Sequence, residues 1–215
     1  MKTARTAKRL IAGIYSAAAD TLYEPVVING SFRLLGGRLN DLVLEQGQNA
    51  VAVAGVMPLL DVPVGTAHFT VPTARQHRGM VVGADLARGM TLAATKSARG
   101  AGLQNLVVVR ADLHDLPFPD GCFGAVMCSN GLPVIPDHRR AVRELARVLA
   151  PGKTLFVSVV TLPLGGLLPP VASVHLPALF NAAGGFIDAF TEAGLSVTSV
   201  RRERLALLLE AVKPA

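Results

Sequence analysis

The sequence predicts an α/β protein with one mostly parallel sheet that is covered by helices on both faces. Strand-like and helix-like segments alternate four times along the chain, which is typical of a doubly wound sheet. The strand segments are apolar throughout, as expected where both faces are buried. The last two strands are joined by a short turn and must pair antiparallel. We therefore expect a seven-stranded sheet that closes with an antiparallel hairpin.

Length and composition are consistent with one packed domain and a small lid. The chain has 215 residues, of which 51% are hydrophobic, enough for a large core. The net charge is +6, but the basic residues are scattered and not interleaved with aromatic ones, so no nucleic-acid partner is expected. Cys122 and Cys128 lack the spacing of a zinc site, so no metal is expected either.

Hydropathy gives an expectation about location. The longest apolar candidate, residues 154–175, is interrupted by prolines and falls short of a membrane span of about 20 residues. The basic N-terminus lacks the apolar core of a signal peptide. We therefore expect a cytoplasmic protein without stable membrane insertion.

Periodicity places the individual elements. Residues 4–20 and 31–48 are predicted as helices of an N-terminal lid (1–48), and 49–215 as the sheet domain. The strands are predicted at 57–62, 80–85, 106–110, 123–128, 154–161, 196–200 and 205–212. The intervening helices are predicted at 66–78, 87–100, 137–149 and 177–194. A turn-rich loop is expected at 114–121.

The first candidate binding element is the turn after the first strand. That strand ends on Asp61 and continues through Pro63-Val64-Gly65-Thr66 into a helix. Gly65 permits close approach of a ligand to the backbone. The helix N-terminus offers N–H groups that suit a carboxylate or phosphate. Such a turn alone is a weak signal, because most strand-to-helix turns bind nothing.

Two more acids end the next two strands. Asp85 lies about twenty residues beyond the turn, where nucleotide-binding sites place an acid on the ribose hydroxyls. Asp112 follows the third strand and could accept the amino group of adenine. Each acid could instead cap a helix or loop. Because parallel strands end at one edge, the three acids are expected to form one nucleoside-shaped cleft.

Four motifs resemble the class I S-adenosylmethionine (SAM)-dependent methyltransferase family, in particular its small-molecule branch related to ubiquinone and menaquinone methyltransferases. They are LLDVPVGTAHF, VVGADLARGM, VVVRADLHDLPFPDGCFGAV and RELARVLAPGKTLFVSVV. They cover residues 57–160 in the family's order and spacing. The resemblance implies a Rossmann-like methyltransferase fold and SAM as cofactor.

The resemblance also implies roles for individual residues. Asp61 would order the turn and the methionyl amino group, and Asp85 would hold the ribose diol. The remaining implied contacts are Gly65 and Ala67 under the methionyl and ribose groups, Asp112 and Leu113 at adenine, Met90 on the adenine face, and Cys128 and Ser129 beside the methionyl group. Met90 could equally be a core residue.

Four positions depart from the family pattern. Pro63 and Ala67 replace the first and last glycines of the turn, Gly124 replaces an aspartate, and Lys153 replaces the second glycine of a PGG turn. An alanine that needs a positive φ is strained by about 1 kcal/mol. Together these changes predict SAM binding that is weakened or lost.

The segments expected to cover the substrate, 1–48 and 162–175, are apolar. They indicate a lipophilic small molecule, such as a polyketide or quinone-like ring, although core packing would give the same pattern. Methyl transfer to its oxygen or carbon needs positioning and sometimes a base. The candidate catalytic residues are His68 beside the turn, Tyr15 in the lid and Asn130 after the fourth strand.

Two other functions remain open. A methyltransferase-like protein that no longer methylates could act as a cyclase or pericyclase in natural-product biosynthesis, and the altered turn and apolar lid favour this alternative. A non-catalytic binding subunit is the third reading. The sequence leaves a homodimer open.

Overall fold

The computed structural model describes residues 38–160, 184–204 and 206–215. The helices are α1 (Leu39–Ala54), α2 (Thr70–Gln76), α3 (Arg88–Gly100), α4 (His138–Val148) and α5 (Gly184–Glu192). The strands are β1 (Leu59–Asp61), β2 (Val81–Asp85), β3 (Leu106–Arg110), β4 (Phe123–Ser129), β5 (Leu149–Val160), β6 (Ser196–Glu203) and β7 (Ala206–Val212). A short 3₁₀ helix spans Leu132–Val134.

The seven strands form one sheet in the order β3-β2-β1-β4-β5-β7-β6. β1 to β5 are parallel, and β7 pairs antiparallel with both β5 and β6. The predicted doubly wound sheet with a late antiparallel hairpin is therefore confirmed. The strand order reverses between β1 and β4, which lie side by side. Ligands of such sheets bind at this reversal, beyond the carboxyl ends of the strands.

The core lies on both faces of the sheet, as the apolar strands predict. On one face α4 and α5 cover Leu60, Val126 and Val157. On the other face α1, α2 and α3 cover alternate residues of the same strands, including Leu59 and Ala125. The alternation follows from the two-residue period of a strand. Among the described residues, no helix is long and apolar enough to cross a membrane.

Several boundaries differ from the predicted ones. α1 continues to Ala54 instead of ending at 48, because its last turns still pack apolar residues on the sheet. β5 begins at Leu149, before Pro151-Gly152, because Leu149 pairs with Phe123 ahead of a register shift. β6 extends to Glu203 along β7. The predicted helix at 4–20, and the loop at 162–175, lie outside the described residues, so the lid at 1–48 stays a prediction.

Two of the four departures from the family pattern meet at the C-terminal end of α1. A Cβ at Gly124 would lie 2.6 Å from Met57 Cβ and 2.9 Å from the Ala54 carbonyl oxygen. The Lys153 ammonium donates a 2.7 Å hydrogen bond to the Val53 carbonyl, which has no partner further along the helix. Both residues therefore contribute to the packing of α1 at the amino ends of the strands. The three acids lie at the opposite, carboxyl ends.

This packing generates a stability prediction for Gly124. We expect Gly124→Ala to destabilise the protein by about 1–3 kcal/mol, because the added methyl overlaps backbone atoms of α1 that cannot move aside cheaply. The matched control is Gly100→Ala at the exposed end of α3, where a Cβ meets no atom within 4 Å. Denaturant unfolding of both variants measures the difference. Equal stability of the two would contradict the close approach of α1 to β4.

Candidate active site

The three predicted acids lie at one edge of the sheet. Asp61 ends β1, Asp85 ends β2 and Asp112 follows β3, and these strands are neighbours in the sheet. The adjacent β4 ends at Ser129, and Asn130 and Gly131 follow it at the same edge. The strand-order reversal therefore separates a side with three carboxylates from a side that begins at β4.

Asp85 joins the turn after β1 to the start of α3. Its Oδ2 accepts the Gly65 backbone N–H at 3.0 Å, and its Oδ1 accepts the Ala87 backbone N–H at 2.9 Å. Burial raises the pKa of the Asp85 carboxyl, and the two N–H donors oppose that rise. The bond to Ala87 closes a local turn before α3, whose N-terminus has no side-chain cap, so Asp85 caps this turn and not the helix. Each oxygen still has a second lone pair that can accept a ligand hydroxyl.

Asp61 is a buried carboxylate with one oxygen engaged. Its Oδ2 accepts the Thr70 hydroxyl at 2.5 Å, while Oδ1 has no hydrogen-bond partner among the described residues. Burial raises the pKa of Asp61 from 3.8 to about 7; the Thr70 hydrogen bond opposes this rise and the charge of Asp85 adds to it. A buried acceptor without a donor is costly, and a cationic ligand would satisfy it.

The turn between Asp61 and α2 is shaped by two glycines elsewhere in the fold. The Pro63 ring occupies the space that a side chain on Gly131 would fill. Val64 Cγ2 lies 2.6 Å from where a Cβ on Gly83 would stand. The proline that departs from the family pattern is thus accommodated by a glycine just after β4. The volume that Pro63 adds is therefore offset by the side chain that Gly131 lacks.

Ala67 has a φ of 66°, the conformation in which an alanine is strained by about 1 kcal/mol. The residue is only 1% exposed and packs with Val64 and Ala94 in a small apolar cluster between the turn and α3. The Ala67 methyl group is therefore covered by the protein itself. The contact of Ala67 with the cofactor stays a prediction.

Asp112 contacts a histidine that the sequence analysis did not select. Asp112 Oδ1 lies 3.0 Å from both the backbone nitrogen and the Nδ1 of His114. The neighbouring Leu113 is buried at 6% exposure. The spacing of two residues fits a side chain that caps the following turn, so the capping alternative is also observed here.

The loop after Asp112 is held by α4. Arg147 donates to the Leu116 carbonyl at 2.9 Å and to the Phe118 carbonyl at 2.8 Å, and it pairs with Asp120. Glu144 accepts the Leu116 backbone N–H at 2.9 Å. Both side chains belong to the motif RELARVLAPGK, and the loop belongs to LPFPDGCF. These two motifs therefore meet in space through charge-assisted hydrogen bonds.

The other implied cofactor residues have diverse surroundings. Met90 is buried on α3 at 1% exposure. The Cys128 thiol packs in the main core, and burial raises its pKa to about 12, with the charge of Asp61 adding to the rise. Ser129 points to the opposite face of β4 from Cys128 because strand side chains alternate.

Asn130 is the candidate catalytic residue with the most distinctive geometry. It has a φ of 57°, and its backbone N–H donates to the Ser158 carbonyl at 2.7 Å. Neither atom of its buried side-chain amide has a partner among the described residues, and the same holds for the Ser158 hydroxyl. Unpaired polar groups of this kind are rare in native interiors, and they indicate a polar subsite at the ends of β4 and β5.

The two remaining catalytic candidates differ in how much can be said. His68 lies in the turn before α2, not on the helix as predicted, because α2 begins only at Thr70. Its ring is partly exposed and packs edge-on against Phe69 with centroids 4.8 Å apart. Tyr15 lies outside the described residues. Within those residues, no group of acids, cysteines and histidines could hold a metal ion.

Sequence reasoning missed Thr70 and Arg147, and it considered His114 only as a candidate base, without its contact to Asp112. Thr70 and His114 each hydrogen bond to one of the predicted acids, and such partners carry no spacing signal because they depend on how the chain turns. Arg147 could have been found, since it lies in a motif that the family resemblance quotes.

The described residues fit the cofactor that the fold family implies. Asp61 Oδ1 is a buried acceptor that lacks a donor, and a buried carboxylate suits the ammonium group of SAM. Asp85, held by two N–H groups, retains acceptor capacity for two ribose hydroxyls. Nothing in the packing of Ala67 or Pro63 obstructs these atoms.

Comparisons with known proteins agree with this geometry. Residues 60–157 match the family model described as a methyltransferase domain. The chain is 34% identical to the demethylmenaquinone methyltransferase of Mycolicibacterium gilvum over 187 residues, which cover 80% of this chain and 78% of that protein. It is also 34% identical over 152 residues to the demethylmenaquinone methyltransferase of Thermus thermophilus, covering 70% of this chain and 65% of that one.

Coverage of some relatives is shorter. The match to the demethylmenaquinone methyltransferase of Listeria welshimeri extends over 45% of this chain and 42% of that protein. The chain thus spans less than two thirds of the length of several curated relatives that it matches.

Solved structures share the fold. A SAM-dependent methyltransferase from Aquifex aeolicus has a TM-score of 0.68 at 16% identity, with 93% of this chain and 97% of that chain covered. The (4+2)-cyclase SpnF has a TM-score of 0.67 at 23% identity, with 83% and 80% covered. On the sequence match to the Mycolicibacterium protein and on the sheet topology, the chain belongs to the class I SAM-dependent methyltransferase family, in its quinone methyltransferase-like branch.

Proposed function

We propose that the protein transfers the methyl group of SAM to an oxygen or carbon atom of a lipophilic small molecule. The observation that carries the proposal is the convergence of Asp61, Asp85 and Asp112 at the strand-order reversal. A quinone-like ring is the substrate class that we favour, because the curated relatives are named for demethylmenaquinone. A cytoplasmic location and a role in natural-product biosynthesis stay predictions.

The chain's own residues would bind and position the reactants. Asp61 would hold the methionyl ammonium, Asp85 the ribose hydroxyls, and Asp112 with Leu113 the adenine. When bound, SAM supplies a methyl group that passes from its sulfur to the acceptor atom, which loses a proton. Fixing the two reactants in line accounts for most of the rate gain in such a displacement.

The acceptor side is proposed to begin at Asn130. Its amide has one donor and one acceptor group buried without partners, so it can orient an oxygen of the substrate. His68 is the candidate base among the described residues because its ring is partly exposed beside the turn. Tyr15 stays a candidate from the sequence.

A cyclase on the same fold is the second candidate. It is supported by the likeness to a structure titled as a (4+2)-cyclase, at an identity that shows the fold alone, and by the altered glycine turn. Such an enzyme would fold its substrate without transferring a methyl group, whether or not it binds SAM.

The central prediction is that SAM and S-adenosylhomocysteine bind with micromolar dissociation constants in calorimetry. Methyl-labelled SAM should also transfer its label to a reduced naphthoquinone that lacks its ring methyl group.

Asp85→Asn should weaken binding about tenfold or more, because it replaces a charged acceptor of two hydrogen bonds. Asp188→Asn, on the exposed face of α5, is the control. Absence of binding at millimolar ligand would exclude methyl transfer; binding without transfer to any quinone tested would favour the cyclase.

Ala67→Gly is expected to change SAM affinity less than about fivefold. The backbone strain at φ 66° is present with and without ligand, so it cancels from the binding free energy, and the methyl is buried against Val64 and Ala94. The same substitution relieves backbone strain, which stabilises the protein, and removes a buried methyl group, which destabilises it, each by about 1 kcal/mol. The free energy of unfolding should therefore change little. A tenfold gain in affinity would show that the methyl obstructs the cofactor.

SAM binding should be linked to a proton on Asp61. The carboxyl has a pKa of about 7 in the unliganded protein, and a cationic ammonium beside it lowers that pKa. Binding near pH 6.5 should therefore release a proton, and affinity should rise with pH until it levels off above about pH 8. Calorimetry in two buffers of different ionisation heat measures the release. Asp61→Asn should abolish it, and a wild-type protein that releases no proton would refute the assignment.

A further inference from the structure

His114 is a buried residue that contacts the acid at the adenine end of the cleft. Its side chain is only 4% exposed. Its Nδ1 lies 3.0 Å from Asp112 Oδ1, and its Nε2 lies 2.5 Å from the Pro136 carbonyl oxygen. The ring therefore spans the gap between the segment after β3 and the segment that leads into α4.

The two contacts fix where the ring protons must be. A carbonyl oxygen can only accept, so Nε2 must donate to Pro136. A neutral ring would then present a lone pair from Nδ1 to a carboxylate oxygen, which is repulsive. A hydrogen bond between Nδ1 and Asp112 Oδ1 requires a proton between these two atoms.

The backbone around His114 is also held. Its carbonyl accepts the Arg140 Nε–H at 3.2 Å, and its N–H donates to Asp112 Oδ1. Arg140 lies in the first turn of α4, which is capped by the Asp137 side chain. The histidine is thus fixed at both ends, and the Asp112 carboxylate is fixed through it.

We propose that His114 is a positioning residue that holds Asp112 so that the site selects a 6-amino purine over a 6-oxo purine. The inference rests on the proposed binding of an adenosyl cofactor. A carboxylate with a set orientation accepts a hydrogen bond from the amino group of adenine. The same carboxylate faces a 6-oxo group with oxygen against oxygen, and a carboxylate that can rotate avoids this clash.

Two substitutions separate the contacts of the ring. The amide nitrogen of asparagine reaches the position of Nδ1, so His114→Asn keeps the bond to Asp112. Glutamine reaches the position of Nε2, so His114→Gln keeps the bond to Pro136 and removes the contact of the ring with Asp112. The probes are S-adenosylhomocysteine and S-inosylhomocysteine, which differ only at position 6 of the purine. Calorimetry gives the ratio of their dissociation constants.

We expect the wild-type protein to bind the adenosyl ligand about tenfold or more tightly than the inosyl ligand. The adenosyl ligand gains a hydrogen bond to the Asp112 carboxylate, whereas the inosyl ligand places an oxygen against it. His114→Gln should reduce the preference to about twofold, and His114→Asn should restore most of it. The control is His77→Gln, a second buried histidine bonded to the Met57 carbonyl, away from the cleft. It should keep the bond to Met57 and leave the ratio unchanged.

Each contrary result has its own meaning. A wild-type protein that binds no S-adenosylhomocysteine overturns the proposed function together with this inference. Tight binding with an unchanged ratio in His114→Gln, or no preference in the wild type, overturns this inference alone. Should the glutamine variant not fold, ring ¹H–¹⁵N spectra of the wild-type protein decide: protected protons at both ring nitrogens support the bridge, and an unprotonated Nε2 refutes it.

Discussion

The hydrogen bonds of the Asp85 carboxylate are the interaction on which the site depends. Through Gly65 and Ala87 the carboxylate joins the turn after β1 to the start of α3. Two N–H donors offset part of the cost of burying its charge. Because the turn is tied to β2 in this way, the Asp61 carboxylate and the start of α2 keep a fixed place beside β4, and the cleft has a defined shape.

Several polar groups of the cleft lack a hydrogen-bond partner within the part of the chain that the structure describes. They are Asp61 Oδ1, the Asn130 amide and the Ser158 hydroxyl, and each unpaired group costs about 1–3 kcal/mol. Such costs are tolerated where a ligand supplies the missing partners. Their position at the ends of β1, β4 and β5 agrees with a cofactor on one side of the reversal and a substrate on the other.

The departures from the family pattern are compensated locally and in different places. Pro63 fits because position 131 is a glycine, and Ala67 turns its methyl into an apolar cluster. Gly124 and Lys153 act together at the end of α1, far from the acids. The motif pattern alone does not reveal these compensations, because they depend on residues distant in sequence. Weakened SAM binding stays a prediction.

The sequence by itself determined the doubly wound sheet, the terminal hairpin and the edge that carries Asp61, Asp85 and Asp112, because periodicity and strand ends are local properties that survive in one dimension. It also identified Ala67 as a residue that a positive φ would strain. Only the tertiary structure decided where the Ala67 methyl group packs, that β5 begins before its Pro-Gly turn, and that His114 bridges Asp112 to Pro136. These features depend on contacts between segments distant in sequence, which set side-chain direction and hydrogen-bond partners and leave no periodic signal in the chain.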